Sequence, residues 1–221
     1  MTAVIEEAPP LAEFQAWPKT PRLFRGVMIT EKIDGSNACI FIREEGFGTS
    51  AAYLHADPPS TTAVILGPSK MDNDGFPSTE YWLYAQSRNR FITPESDNFG
   101  FARWVRDNAQ TLVDDLGPGR HYGEWWGAGI QRKYGQKEKF FSLFNGDRWR
   151  DAGFATPNLE VVPILWEGTF NQEDLRVELD TLRISGSTLG PVPAEGVIVQ
   201  FKSGERFKVT LDNEDRGKWE A

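Results

Sequence analysis

The chain has 221 residues, enough for one α/β or α+β domain with a sizeable core and too few for two of ordinary size. Eight Trp, fifteen Phe and a 39% hydrophobic share exclude a disordered chain, and a single cysteine excludes a disulfide or zinc framework. A formal net charge of −8 argues against a sequence-independent coat on nucleic acid, so any such contact has to use a local basic face.

In chain order, residues 1–20 hold three prolines and little apolar periodicity, which predicts an irregular lead-in closing on Trp17-Pro18. The start carries neither a basic region nor an apolar leader, and no run is long enough to span a bilayer, so a cytoplasmic protein is expected. Two apolar, β-branched runs follow, Leu23 to Thr30 and Asn37 to Arg43, which predicts strand, short loop, strand. Cys39 falls inside the second run and reads as a buried small side chain. Gly, Pro, Ser, Asp and Asn concentrate between Gly67 and Glu80, where an exposed inserted loop is expected before a strand at Tyr81 to Gln86.

From Phe101, apolar positions at Trp104, Val105, Leu112 and Val113 predict an amphipathic helix with Asp97 and Asn98 as upstream caps. A second helix is predicted over Asn171 to Ile184, with Leu175, Leu179 and Leu182 on one face. Strands are predicted at Arg120 to Trp126, Phe140 to Phe144 and Leu159 to Leu165. A hairpin of Glu195 to Phe201 and Arg206 to Leu211 follows, turning at Ser203-Gly204. Residues 21–221 are therefore expected to form one α+β domain of mainly antiparallel sheets flanked by helices.

Lys32-Ile33-Asp34-Gly35-Ser36-Asn37 places a lysine beside a glycine-containing turn between two strands. Held there at the floor of a groove, its amine is a candidate nucleophile, while a surface lysine before an Asp-Gly turn is an equal reading of the hexapeptide alone. Attack of an amine on a nucleotide α-phosphate also needs cations, a carboxylate-bound divalent metal, a stacking surface and a group for the ribose.

Lys32-Ile33-Asp34-Gly35 resembles the K-x-D-G signature of the covalent nucleotidyltransferases, the DNA ligases, RNA ligases and mRNA capping enzymes, and the string from Glu31 to Asn37 is most similar to phage-type RNA ligases. Tyr122-Gly123-Glu124-Trp125-Trp126-Gly127-Ala128-Gly129-Ile130-Gln131 is similar to the G-E-x-x-G-x-G-I-Q segment of RNA ligases, Glu195-Gly196-Val197-Ile198-Val199 to E-G-x-V, and Arg206-Phe207-Lys208 falls where K-x-K is found. The resemblance implies an ATP-grasp-like ligase core in which Lys32 forms a lysyl-AMP bond. Ile33 and Asn37 would lie by the nucleotide, Arg88 (or Arg90) on the nucleotide or a 5′-phosphate, and Glu124 on the ribose. Phe141 (or Phe140 or Phe144) would lie on the adenine, Glu195 on the catalytic metal, and Lys208 on the α-phosphate. The Trp125-Trp126 pair reads as core.

The implied cofactors are ATP and Mg2+ or Mn2+, and the implied partners are RNA ends, a 5′-phosphate and a 3′-OH, with a monomer and no obligate protein partner expected. Thr210 stands in place of the second lysine and Gln200 where many ligases carry one, with Lys202 or Arg206 as candidate replacements. Larger members append an OB-type domain, and none is expected here because the chain ends soon after Thr210. The alternative readings are a DNA ligase, a GTP-dependent capping enzyme, or a non-catalytic domain that binds nucleotide or RNA ends.

Overall fold

The structure is a computed structural model that describes residues 16–17, 19–20, 25–46, 61–71 and 77–211. Most of the lead-in expected over 1–20 lies outside these residues.

Two sheets carry the fold. The smaller has four strands, all antiparallel: β1 (Gly26–Glu31), β9 (Ile164–Thr169), β10 (Gly196–Phe201) and β11 (Arg206–Thr210), in the order β11-β10-β1-β9. The larger runs β3-β4-β2-β6-β7-β8 from β2 (Ser36–Gly46), β3 (Ala63–Met71), β4 (Pro77–Ser87), β6 (Gly119–Gly127), β7 (Lys139–Leu143) and β8 (Leu159–Val161). The short β5 (Phe91–Ile92) pairs with β4, and only β7 and β8 run parallel. The chain passes between the sheets at the β1–β2 link and at the β8–β9 link, and the first crossing is Lys32 to Gly35.

The period-2 alternation of β2 sends Ala38, Ile40 and Ile42 to one face, where they pack with Leu83 and Ala85 of β4 against Phe101, Val105, Leu112 and Leu116. Those four come from two short helices, α1 (Phe101–Asp107) and α2 (Ala109–Leu116), instead of the one expected. Asn108 breaks it: its side-chain amide donates to the Trp104 carbonyl at 2.8 Å, competing with the helical ladder. Asp97 serves the first helix as expected, accepting from the N–H groups of Ala102 and Arg103 at 2.8 and 3.0 Å. After the four-residue α3 (Gly146–Trp149), helix α4 (Gln172–Ser185) buries Leu179 and Leu182 against Val27, Ile29, Val197 and Val199 of the smaller sheet. Asn171 caps it by accepting from the Asp174 N–H at 2.8 Å.

Two further expectations differ from the structure. The loop expected over 67–80 is instead the two arms of a hairpin, with Met71 paired to Pro77; residues 72–76 lie outside the described residues. Gly67 and Pro68 are tolerated because β3 is an edge strand, where a missing N–H interrupts nothing. The single strand expected over Leu159 to Leu165 is split at Val162-Pro163: β8 belongs to the larger sheet and β9 to the smaller.

Candidate active site

The cleft lies where the chain first crosses between the sheets. It has a volume of about 560 Å³ and is lined by Lys32 to Asn37, Ser87 to Asn89, Asn98, Glu124, Phe144, Glu195, Ile198 and Lys208. One wall is the smaller sheet. The Lys32 N–H donates to the Gly196 carbonyl at 2.9 Å, which ties the lysine to the residue after Glu195. Ile198 faces Lys208 in the β10–β11 ladder, so Lys208 enters from the next strand over. The other wall is the larger sheet, where Asn37 of β2 stands opposite Glu124 of β6 and Arg88 occupies the turn after β4.

Gly35 is required by close approach. A Cβ there would meet the Trp125 carbonyl oxygen at 2.7 Å and Glu124 Cγ at 2.9 Å, so only glycine lets β2 start against β6. Its N–H lies near enough to the Glu124 carboxylate to favour the ionised acid.

Lys32 Nζ lies 2.5 Å from Glu195 Oε2, both side chains about one-fifth exposed. That oxygen is buried and has no aligned hydrogen-bond donor among the described residues, so the contact is one of charge, off the hydrogen-bond axis. Burial pushes the Glu124 carboxyl up to about 7, and the nearby Glu195 charge adds to this. Lys32, the Gly35 N–H and Arg88 pull the other way.

The Lys32–Gly35 segment is clamped from below by residues outside the sequence-predicted set. The Asp34 N–H donates to the Tyr134 hydroxyl at 2.6 Å, and Arg132 Nε donates to Asp34 Oδ2 at 2.9 Å. Arg132 Nη1 reaches on to the Pro193 carbonyl at 2.8 Å, joining the turn after Lys32 to the approach to Glu195. Tyr134 is fully buried with Ile33, Trp126 and Val162. Gln131, Lys133 and Tyr134 all have positive φ (41°, 59° and 51°), a conformation L-residues keep only where their surroundings enforce it. The only sequence signal for this clamp is that it directly follows Gly127 to Ile130.

Glu31 is also missing from the predicted set. It is 1% exposed, and its carboxylate accepts from Ser187 Oγ at 2.5 Å and from the Thr188 N–H and hydroxyl at 2.9 and 2.6 Å. The loop after α4 is thereby fixed to the end of β1, one residue before Lys32. Asn98 joins the cleft by donating to Ser36 Oγ at 2.8 Å.

Of the residues expected at a nucleotide site, Lys32, Ile33, Asn37, Arg88, Glu124, Glu195 and Lys208 line the one cleft, and Phe141 does not. Phe141 is fully buried in the core on Phe101 and Trp104, with centroids at 5.0 and 6.0 Å. The aromatic ring at the cleft is Phe144, just past the end of β7, which also borders a second, mainly apolar cavity with Val162, Ile198 and Phe207. Arg90 is turned away, donating to the Phe91 and Ser96 carbonyls and to Ser96 Oγ. Lys202 pairs with Glu167 at 3.2 Å and does not border the cleft, and Arg206 borders the second cavity instead. Gln200 lies in that cavity too, and Thr210 stands opposite Gly196.

A family model described as RNA ligase matches residues 25–210. The chain belongs to the RNA ligase family. No curated protein matches this family member in sequence. Among solved structures it is similar to an RNA ligase of Naegleria gruberi, in a variant solved with AMP and Mn, at 18% identity and a TM-score of 0.52, over 86% of this chain and 51% of that one. A second variant of that ligase, solved with ATP and Mn, matches at 19% identity and a TM-score of 0.50, over 85% of this chain and 50% of that one. These likenesses establish a shared α+β fold of mostly antiparallel sheets. The RNA ligase domain described here spans about half the length of the structures it matches.

Proposed function

We propose that this cleft catalyses ATP-dependent RNA ligation through a covalent lysyl-AMP intermediate on Lys32. The observation that carries the reading is the convergence, in one cleft, of a lysine amine held at 2.5 Å from a carboxylate with a second lysine, a second carboxylate and an aromatic ring. The Lys32 amine, after losing a proton, attacks the α-phosphorus of ATP. An N–P bond forms, the bond to the β-phosphate bridging oxygen breaks, and pyrophosphate leaves. The AMP then passes to a 5′-phosphate end, and a 3′-OH displaces it to seal the strand.

Each residue has a task set by its place. Glu195 holds the Lys32 ammonium by charge and is the carboxylate in contact with it, the nearest acceptor for its proton once the two align. Lys208, entering from β11, offsets charge on the α-phosphate as the bond to pyrophosphate lengthens. Glu124 accepts from the ribose hydroxyls; hydrogen bonds to its ionised form oppose the burial that favours its neutral form. Phe144 and Ile198 offer apolar surface to the base. A divalent metal fits the site once the Lys32 amine is neutral: Glu195 Oε2, the oxygen in contact with that amine, is buried without an aligned donor, and a hard cation bound to phosphates needs only one or two carboxylates. Bound there by Glu195, such an ion would neutralise phosphate charge. The Naegleria gruberi complexes with ATP or AMP and Mn support this choice of nucleotide and metal class.

The test incubates the protein with α-labelled ATP or GTP and a divalent metal, then resolves it on a denaturing gel beside Lys32→Ala. Label from ATP that survives denaturation and is lost in Lys32→Ala is the expected result. Label from GTP alone would favour capping chemistry, and folded, AMP-free protein that takes no label would overturn the proposal.

A further inference from the structure

Beside the cleft lies a depression lined by Arg120, Tyr122, Asn145, Arg148 and Arg206 together with Phe144, His121 and Trp149. Not one of its lining residues is acidic, although the chain as a whole carries a net charge of −8. Among the described residues none of the three arginines has a carboxylate in salt-bridge range, whereas Arg25, Arg132 and Arg150 are all paired. Two of the three are held by neutral groups. Arg120 lies over the Phe41 ring at 4.0 Å and donates to Gln86 Oε1 at 3.0 Å. Arg148 lies over Trp149 at 4.2 Å and donates to the Leu116 carbonyl at 3.3 Å. The Arg120 and Arg148 guanidinium groups are therefore positioned while their charge stays uncompensated, which is what recognition of a phosphate requires.

The strand pleat connects this patch to the cleft. Along β6, Arg120, Tyr122 and Glu124 share a face, so at about 3.3 Å per residue Tyr122 lies roughly 7 Å and Arg120 roughly 13 Å from the acid in the cleft. Tyr122 is 49% exposed, with its ring available to an unpaired base. Phe144 borders both the patch and the cleft, so the two adjoin at that side chain.

We infer that this patch is the docking track for an RNA single strand entering the cleft, with phosphates on Arg120, Arg148 and Arg206 and a base stacked on Tyr122. The inference rests on the proposed ligation, and its test separates the two. A fluorescent, 5′-phosphorylated RNA strand of about ten nucleotides is titrated by anisotropy at rising salt, and nucleotide labelling is run on the same preparations.

An Arg120→Gln/Arg148→Gln double variant is expected to bind about tenfold or more weakly and to lose roughly 1.4 from the slope of log affinity against log salt, about 0.7 per arginine. Tyr122→Ala is expected to lose about tenfold in affinity with its slope unchanged. All of these variants should still take label on Lys32. Should the glutamine pair misfold, the lysine pair, Arg120→Lys/Arg148→Lys, is expected to keep the wild-type slope, and loss of the slope there overturns the inference. So do wild-type affinity and slope in a folded glutamine pair, or failure of the wild type to bind the strand. A wild type that binds the strand through these residues but takes no label would instead overturn the ligation reading and leave the track standing.

Discussion

The two walls of the cleft are built differently. On the smaller sheet, Lys32, Glu195 and Lys208 belong to strands or strand ends laddered directly to one another, and opposite charges are already in contact. On the larger sheet, Asn37 and Glu124 face each other across β2 and β6, and Glu124 is a carboxyl whose burial is only partly offset by its neighbours. A group that forms a bond must be held near its attack position before substrate arrives, and a paired ladder does that. A group that recognises a ligand gains from being left unsatisfied until the ligand supplies its donors. The first wall is suited to chemistry and the second to recognition.

The hardest test of this division is on the first wall. Lys32→Ala should abolish covalent labelling altogether. Lys208→Ala should lower the rate of label formation by about 10² to 10³, the typical loss when one preorganised group on a developing charge is removed. If Lys208→Ala changed only the nucleotide concentration needed for half-maximal labelling, the residue would belong to recognition and the contrast between the walls would fail.

The two phenylalanines of the β7 segment sharpen the comparison. Phe141→Ala should cost about 3–5 kcal/mol of stability, since the ring is fully buried against Phe101 and Trp104. Phe144→Ala should leave the melting temperature close to wild type and weaken nucleotide binding, because Phe144 is part-exposed at the cleft. Thermal melts and labelling titrations of both variants check this, and the reverse pattern would return the base to Phe141. Lys139 to Asn145 is legible as an aromatic strand, but the sequence does not say where β7 stops. Phe141 and Phe144 differ by three positions, so a ring inside the strand and one past its end meet different surroundings.

The same limit explains what else was legible. Lys32, Glu124 and Glu195 stand in short strings whose residue types and order are informative, and the alternation of β2 and the spacing of α4 follow from apolar periodicity. The edge hairpin of β3 and β4 was hidden because Gly and Pro have the same composition on an edge strand as in a loop. Arg132 and Tyr134 were hidden because their partner, Asp34, is about a hundred residues away and only the fold brings them together.

That clamp gives a smaller effect. Arg132→Ala should slow labelling by roughly ten- to a hundredfold, as expected when a reacting group shifts by about an ångström, with Arg132→Lys recovering part of the loss. A single-turnover rate unchanged in Arg132→Ala would show that the strand ladders alone hold Lys32.

The smallest effect concerns the second wall in the absence of ligand. The Glu124 carboxyl is raised to about 7 in the folded protein from an ordinary value of 4.5. Below about pH 4.5 both folded and unfolded states hold the proton and the group contributes no difference. Between about 4.5 and 7 the unfolded chain releases its proton while the folded one keeps it, so rising pH favours unfolding; above 7 the loss is complete. Because Glu124 is part-exposed, the loss is on the order of 1–2 kcal/mol after screening. Glu124→Gln cannot ionise, so wild type should fall relative to it as pH rises from 4.5 to 7 and stay lower by a constant amount beyond. Melts of both proteins across that range, without nucleotide, decide it: a difference that does not change with pH would mean that the second wall, like the first, is already satisfied before a ligand arrives.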